Sequence, residues 1–252
     1  INKECEKQGK CHKIILMMDL GDIREGYVDE EELIAAAVET EKLSRVDLYG
    51  IGTNLTCFSF IQADEEKMER LAEMRKKVEN AAGHTLEIVS GGNSAALDLM
   101  MRGGICEGVD NFRLGESLLF GKERSRYTFL PGTRNDGFIL ECEVVEAKEK
   151  PSLPWETAGV DSYGRKPVFT DRKKKKKKVI CAIGRQDFDA ETATPVDEGI
   201  LILGASSDHL MLDVTDSVKE YKVGDIVELR LGYFSVLRAF TSPYVEKIFL
   251  KK

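Results

Sequence analysis

Four segments of the sequence end an apolar run with glycine beside polar or charged residues, a composition typical of ligand-binding strand ends. They are MDLGDIREG (residues 18–26), GIGTNLTC (50–57), SGGNS (90–94) and RLGES (113–117). Glycine lets the backbone approach a ligand closely, and asparagine and serine cap helices whose free N–H groups attract anions. The segments therefore form either ordinary turns or a backbone cradle for an anion such as phosphate.

The third and fourth segments favour the cradle when they are taken together. Asn93 and Ser94 are candidate helix caps, and Gly115 and Glu116 repeat the arrangement at the next helix start. Arg113 ends the strand before that second start, where a guanidinium is costly unless it meets an acceptor. SGGNS alone fits a plain turn equally well, but with Arg113 nearby the pair predicts a phosphate site.

The elements that must position these segments are alternating strands and helices. From residue 12 to about 121 short apolar runs alternate with amphipathic segments, which predicts βα units around a parallel sheet. Parallel strands carry function at their carboxyl ends, where the four segments fall. Four parallel strands cannot close into a barrel. We therefore expect an α/β domain, residues 1–134, that is the later part of a TIM-type (β/α)8 barrel whose first strands are missing.

Residues 135–252 have a different, β-rich character, which predicts a second domain that is mainly β. The predicted strands lie in GFILECEVVEAKEK, KKVICAIGRQDF, GILILGASSDHLMLDV, YKVGDIVELRLG and YVEKIFL. Residues 151–178 are expected to form a long exposed excursion. The six consecutive lysines at 173–178 are predicted to be a solvated surface feature, because like charges repel one another.

The composition limits the class of protein. The formal net charge of -7 argues against a general nucleic-acid binder. No run of about 18 apolar residues and no signal-peptide pattern is present, so neither a membrane nor export is indicated. The six cysteines include no CxxC pair, which favours a reducing compartment without structural zinc. We expect a cytoplasmic enzyme with no metal, whose partners are small molecules or a second copy of the chain.

Several motifs in fixed order then resemble the alanine racemase family, which depends on pyridoxal 5'-phosphate (PLP). They are the four segments above together with AIGRQDFD, LGASSDHLMLDVTD, YKVGDIVE and TSPYVEK, and they are most similar to the alanine/ornithine racemase branch. The resemblance implies a PLP-binding barrel followed by a β-domain, and interconversion of L- and D-amino acids. Ornithine is the favoured substrate, with alanine, lysine or serine behind it, and the expected assembly is a homodimer.

The resemblance also implies roles for individual residues. Ser94 and the backbone of Gly115 and Glu116 would hold the PLP phosphate. Arg113 would face the pyridine nitrogen, and because arginine stays protonated it could only donate there. Arg24 matches an arginine near the phenolic oxygen of the cofactor.

Two further positions, one of them with a different residue type, correspond to cofactor contacts of the family. Asn54 stands where the family has a histidine stacked on the cofactor ring, and Tyr244 matches a tyrosine that reaches the phosphate. No residue matches the Schiff-base lysine of the first barrel strand. The lysine run does not replace it, since it lies in a polar excursion. The sequence alone is therefore expected to be inactive.

The second catalytic base of the family is a tyrosine, and Arg185 occupies its position here. Asp187, Asp208 and His209 are the candidates to replace it. The two aspartates could equally hold the distal ammonium of a basic substrate or pair with arginine, and His209 could be a structural hydrogen-bonding residue. Two other functions stay open: a non-catalytic PLP-binding protein of the kind that buffers the cofactor, and an anion-binding α/β protein without PLP.

Overall fold

The computed structural model describes residues 1–160, 164–168 and 175–251 of the 252-residue chain. The chain divides into two units, Ile1–Arg134 and Asn135–Lys252, and each is described by itself below. Among the described residues, no helix combines the length and the apolar character needed to cross a membrane.

The first unit contains a four-stranded parallel sheet in which the strands follow one another in chain order. The strands are β1 (His12–Met17), β2 (Val46–Gly52), β3 (Ile88–Asn93) and β4 (Asn111–Arg113). The helices are α1 (Asn2–Gln8), α2 (Glu30–Glu41), α3 (Glu65–Ala82), α4 (Leu97–Met101) and α5 (Glu116–Phe120). A single 3-10 turn, Ser94–Ala96, precedes α4. The predicted α/β alternation is confirmed.

Helix boundaries in this unit follow from capping residues. The carboxylate of Asp64 accepts the Lys67 N–H at 2.9 Å and starts α3, which ends at Gly83 with φ 82°. The apolar face of α3 packs into a core that includes Leu71, and that core also contains the strand residues Ile51 and Val89. Burial of this apolar face holds α3 against the sheet.

The two glycines of SGGNS are required for different reasons. A Cβ on Gly91 would lie 2.6 Å from Val109 Cγ1 and 2.9 Å from the Phe112 ring, so close packing excludes any side chain there. Gly92 has open space around it but a φ of 119°, which side-chain-bearing residues rarely adopt. The β3–β4 register shifts between Ser90 and Asn93, at this pair of glycines.

The second unit is a six-stranded sheet with the order β7-β10-β5-β6-β9-β8 and antiparallel pairing throughout. Its strands are β5 (Ile139–Pro151), β6 (Lys175–Cys181), β7 (Ala193–Pro195), β8 (Leu201–Ala205), β9 (Leu210–Asp213) and β10 (Ile226–Leu231). The mainly β character is confirmed. A short 3-10 turn, Ala190–Thr192, precedes β7, and one helix, α6 (Tyr233–Thr241), follows β10.

Two predictions for this unit are wrong. YVEKIFL (residues 244–250) forms no strand; it follows Pro243 at the end of α6, and Ile248 and Phe249 are 71% and 81% exposed. A strand there would need a neighbour to pair with its backbone, and the described residues provide none. Helix α6 was not predicted, although its buried residues Ser235, Val236 and Ala239 lie on one helix face.

The second wrong prediction is that every lysine of the run is solvated: Lys177 is exposed as expected, but Lys176 is buried. Lys173 and Lys174 lie outside the described residues, whereas Lys175–Lys178 start β6. The side chain of Lys176 is only 6% exposed, and its Nζ lies 2.9 Å from Oδ2 of Asp213, which is equally covered. Asp213 pairs with Lys178 across β6 and β9, and residues two apart on a strand share a face, so Lys176 lies on the face of Asp213. Lys176 is therefore a buried ion-pair partner and not a solvated charge. The described remainder of the predicted excursion, residues 152–160 and 164–168, is mostly exposed and contains no strand or helix.

Candidate functional site

Ser94 joins the end of β3 to the start of α5. Its Oγ lies 3.0 Å from Ser117 Oγ and accepts the backbone N–H groups of Ser117 at 3.2 Å and Gly115 at 3.4 Å. Asn93 is the helix cap, since its side chain accepts the Ala95 N–H at 2.8 Å. The two predicted glycine segments therefore meet at one point, held by the Ser94 hydroxyl.

Arg113 lies at the same edge of the sheet, one strand along from Ser90. Its guanidinium donates to Ser90 Oγ and, at 2.8 Å, to the Thr53 carbonyl oxygen, so it joins the ends of β2, β3 and β4. Partial burial lowers the pKa of Arg113, and the Glu25 carboxylate opposes that effect. Arginine remains protonated under such conditions, so Arg113 is a fixed hydrogen-bond donor at this edge.

Arg24 and Glu25 form a bidentate pair in the loop after β1, in which the Arg24 guanidinium donates to both carboxylate oxygens. The pair raises the pKa of Arg24 and, mainly through the same hydrogen bonds, lowers the pKa of Glu25. The Glu25 carboxylate also attracts Arg113 electrostatically. Glu25 thus offsets the repulsion between two guanidinium groups, a function that sequence reasoning missed.

Two buried polar atoms at the end of β2 lack a hydrogen-bond partner among the described residues: Thr53 Oγ1 and Asn54 Nδ2. The other end of the Asn54 amide is satisfied, because its Oδ1 accepts from Asn93 Nδ2 at 3.0 Å. A buried group left unpaired costs about 1–3 kcal/mol, so such atoms mark a place for a polar ligand or water. A Cβ added at Gly92 or Gly115 would meet nothing within 4 Å. The residues therefore fit a polar anionic ligand such as a phosphorylated cofactor.

The two loops that carry Arg24 and Asn54 are fastened by a buried carboxylate. Asp22, 1% exposed, accepts the backbone N–H groups of Cys57, Phe58 and Ser59 at 3.0, 3.1 and 3.1 Å. Three hydrogen bonds to one carboxylate compensate its burial. Asp22 is a functional residue that sequence reasoning missed; its signal in the sequence is its place between Gly21 and Arg24 after a strand.

In the second unit, Asp187 and Tyr244 are connected through Ser242. The buried Asp187 Oδ1 accepts from Ser242 Oγ at 2.7 Å, and the same Oγ accepts the Tyr244 N–H at 3.1 Å. The Tyr244 side chain is exposed. Asp187 thus has a structural partner in this unit, whereas the Tyr244 ring is available for a contact.

Asp208 and His209 form an exposed pair on the β8–β9 loop. His209 Nδ1 lies 2.9 Å from Asp208 Oδ1, and this hydrogen bond lowers the pKa of Asp208. The same loop contacts the AIGRQDFD segment, since Arg185 N–H donates to the Ser206 carbonyl oxygen at 2.8 Å. A carboxylate on Nδ1 orients a histidine ring and leaves Nε2 to exchange a proton.

The predicted site residues therefore form two groups. The first unit contains Asn54, Ser94, Arg113, Gly115 and Glu116 at the carboxyl ends of its strands, with Arg24 in the loop after β1. The second unit contains Asp187, Asp208, His209 and Tyr244. No group of histidine, cysteine, aspartate or glutamate suited to holding a metal ion occurs in the part of the chain that the structure describes.

Comparison with known proteins identifies relatives of both units. The model of the alanine racemase N-terminal domain family matches residues 1–123. The ornithine racemase of Acetoanaerobium sticklandii is 44% identical over 247 residues, which cover 98% of this chain and 70% of that protein. The lysine racemase of Thermotoga maritima is 42% identical over 237 residues, covering 94% of this chain and 65% of the relative.

Solved structures with the same fold are more distant in sequence. An alanine racemase of Clostridium difficile 630 matches with a TM-score of 0.58 at 22% identity, and a D-threonine aldolase of Filomicrobium marinum with 0.61 at 11%. These matches cover 92% and 94% of this chain but 59% of each solved chain. At such identities the likeness concerns the fold, which is a series of βα units followed by a β domain.

Proposed function

This chain belongs to the alanine racemase family, and from that premise we propose that the protein is a PLP-dependent amino-acid racemase. Ornithine is the first candidate substrate and lysine the second, because the two curated relatives are racemases of these amino acids. Alanine and serine are the further candidates. The family forms its site from the barrel of one subunit and the β domain of another, so we propose a homodimer.

The junction of Ser94 with the start of α5, beside Arg113, is the observation that carries this proposal. It brings a hydroxyl, two glycine-bearing turns and a permanently protonated guanidinium to one edge of a parallel sheet. In open parallel βα architecture this edge is where ligands bind. The unpaired Thr53 Oγ1 and Asn54 Nδ2 at the same edge support a bound ligand that has polar groups.

The residues of the first unit would bind and orient the cofactor. Ser94 and the backbone N–H groups of Gly115 and Glu116 would hold its phosphate, since such amides at a helix start have no intrahelical acceptor. Arg113 would donate to the pyridine nitrogen. Arg24, held by Glu25, would face the phenolic oxygen, and Asn54 would contact the ring. When bound, PLP acidifies the Cα–H of an amino acid.

Racemisation also needs proton-exchanging groups on opposite faces of the substrate. We assign one of them to His209, whose ring is oriented by Asp208 and whose Nε2 is left to hold or release a proton. Asp187 would act as a support, because it is buried and bound to Ser242. No residue of this sequence matches the lysine that bonds the cofactor, so the sequence alone is expected not to racemise amino acids.

The test uses the full-length protein. Enzyme-bound PLP should give a visible absorbance band that is lost when Ser94 and Arg113 are changed together to alanine and glutamine. L-Ornithine incubated with the protein in deuterated solvent should exchange its α-hydrogen and accumulate the D-enantiomer. A protein that binds PLP but exchanges no amino acid would instead be a cofactor-buffering protein. Exchange of alanine without exchange of ornithine would contradict the substrate assignment.

A further inference from the structure

A basic loop, residues 122–128, follows α5 and is hydrogen-bonded to a buried acid. Glu123 is 3% exposed and accepts the backbone N–H groups of Ser125 and Arg126, both at 2.8 Å, and of Thr128 at 3.2 Å. Burial alone would raise the pKa of Glu123, but hydrogen bonds from the Ser125 hydroxyl and from these backbone N–H groups outweigh it and lower the pKa. The backbone of the basic loop therefore wraps around a charged carboxylate, and these hydrogen bonds restrict the positions of Arg124 and Arg126.

Arg124, in this loop, contacts two residues of the proposed phosphate site, Ser94 and Glu116. Its backbone N–H donates to the Ser94 carbonyl oxygen at 3.4 Å. Its Nη1 lies 3.7 Å from Oε2 of Glu116, whose side chain is only 11% exposed, while that of Arg124 is 34% exposed. Main chain and side chain of one residue thus contact both the 3-10 turn that follows β3 and the start of α5.

The Glu116 carboxylate is a problem for an anion site unless its charge is balanced. A carboxylate covered from solvent is weakly screened, so it would repel a phosphate dianion bound at the backbone of the same residue. The Arg124 guanidinium is placed to cancel that charge. The other arginine of the basic loop, Arg126, pairs elsewhere, with Asp98 at 3.2 Å.

We propose that Arg124 is a positioning residue for the phosphate group: it neutralises Glu116 so that the site formed by the Ser94 hydroxyl and the backbone of Gly115 and Glu116 accepts a dianion. The proposal rests on the proposed function, because it takes the ligand to be the phosphate of PLP. Arg124 would act on the phosphate site through its pair with Glu116 and would not itself touch the reacting atoms.

The test compares the affinities of the full-length protein for PLP and for pyridoxal, which lacks the phosphate. R124Q should weaken PLP binding about tenfold, the size expected when a covered carboxylate loses its partner at a partly exposed site. Pyridoxal binding should change less than about twofold. The double variant E116Q/R124Q should recover most of the PLP affinity, because no uncompensated charge remains. R126Q is the matched control and should leave the ratio of the two affinities unchanged.

An unchanged ratio in R124Q, or no recovery in the double variant, would overturn the proposal. R124K covers the case in which R124Q does not fold. Because lysine keeps the positive charge, R124K should retain the ratio of PLP to pyridoxal affinity within about threefold. A tenfold loss of that ratio in R124K would contradict a charge-based function. The phosphorus-31 resonance of bound PLP should shift in R124Q and return towards the wild-type position in E116Q/R124Q. Wild-type protein that binds no PLP would refute the proposed function and this inference together; PLP binding with an unchanged R124Q ratio would refute the inference alone.

Discussion

The Ser94 and Ser117 hydroxyl oxygens lie 3.0 Å apart, and this contact joins a strand end to the helix start that follows the next strand. Both side chains are buried. The Ser94 oxygen also accepts the Ser117 N–H, so the two residues are linked through side chain and main chain. The groups of the proposed phosphate site are thus held in place by hydrogen bonds within the protein itself.

Ser117 supports Ser94, and its removal should weaken the site without removing Ser94 itself. S117A should lower the free energy of unfolding by about 1 kcal/mol, the usual net contribution of a buried hydrogen bond. PLP affinity should fall a few-fold, and less than in S94A. Urea unfolding and absorbance titration of the full-length protein measure the two effects. S44A is the control, because the Ser44 hydroxyl bonds Glu6 at the surface. Equal affinity in S117A and wild type would show that the junction does not position Ser94.

Substitution of Asp22 should lower the free energy of unfolding more than most substitutions in the loops of the first unit. D22N replaces a carboxylate that accepts three backbone N–H groups with an amide that brings its own donor. We expect a loss of about 1–3 kcal/mol in the free energy of unfolding, because at least one buried N–H or NH2 is left unpaired. D47N, an exposed change of the same type, should cost little. Similar losses in the two variants would contradict a specific function of Asp22.

His209 is expected to matter to proton exchange from one enantiomer only. If it exchanges a proton on one face of the substrate, H209Q should reduce α-deuteration of one ornithine enantiomer at least about 100-fold and affect the other much less. Mass spectrometry after short incubations in deuterated solvent measures both rates. D208N removes the carboxylate that orients the ring, and the same enantiomer should be affected to a smaller degree. Equal losses for both enantiomers would point to a structural function.

The buried Lys176–Asp213 pair makes the stability of the protein sensitive to acid. Burial raises the pKa of Asp213, but hydrogen bonds from Thr215 and Lys176 outweigh it and hold the pKa below its ordinary value of 3.8. Because the folded state binds this proton more weakly than the unfolded state, the stabilisation is complete above that ordinary value. It is lost as the pH falls through the folded-state pKa.

Urea unfolding of wild type and D213N between about pH 6 and pH 2.5 tests this dependence. Wild type should lose free energy of unfolding more steeply than D213N below about pH 4, even though D213N is less stable at neutral pH. Parallel curves for the two proteins would show that another carboxylate dominates the acid response. E143Q, at a residue whose side chain is exposed on β5, is the matched control and should follow the wild-type curve.

The strand ends of the first unit could be predicted because local chemistry determines them. Caps such as Asp64 act within four residues, and apolar runs separated by amphipathic helices require parallel strands. That Ser94 and Arg113 reach one edge follows from this topology. The contributions of Asp22 and Glu25 could not be predicted, because they depend on which loops meet after folding.

The errors in the second unit have a related cause. YVEKIFL alternates like a strand, but a strand exists only where a neighbour completes its hydrogen bonds. The prediction for the lysine run rests on repulsion among the lysines themselves, whereas the burial of Lys176 depends on Asp213, which lies 37 residues further along the chain. Both cases show a local pattern overruled by a partner distant in sequence.

The buried lysine also bears on how β6 finds its alignment. Six identical residues contain no information that distinguishes one pairing from another, so a slip by two residues would offer Asp213 a different lysine on the same face. In the described part of β6 the apolar end breaks this degeneracy, because Val179 and Cys181 are 1% and 0% exposed and a slip by two residues would bring Lys177 to the buried position of Val179. Uniform charge at the start of β6 is therefore tolerable only because the apolar end of the same strand fixes its alignment.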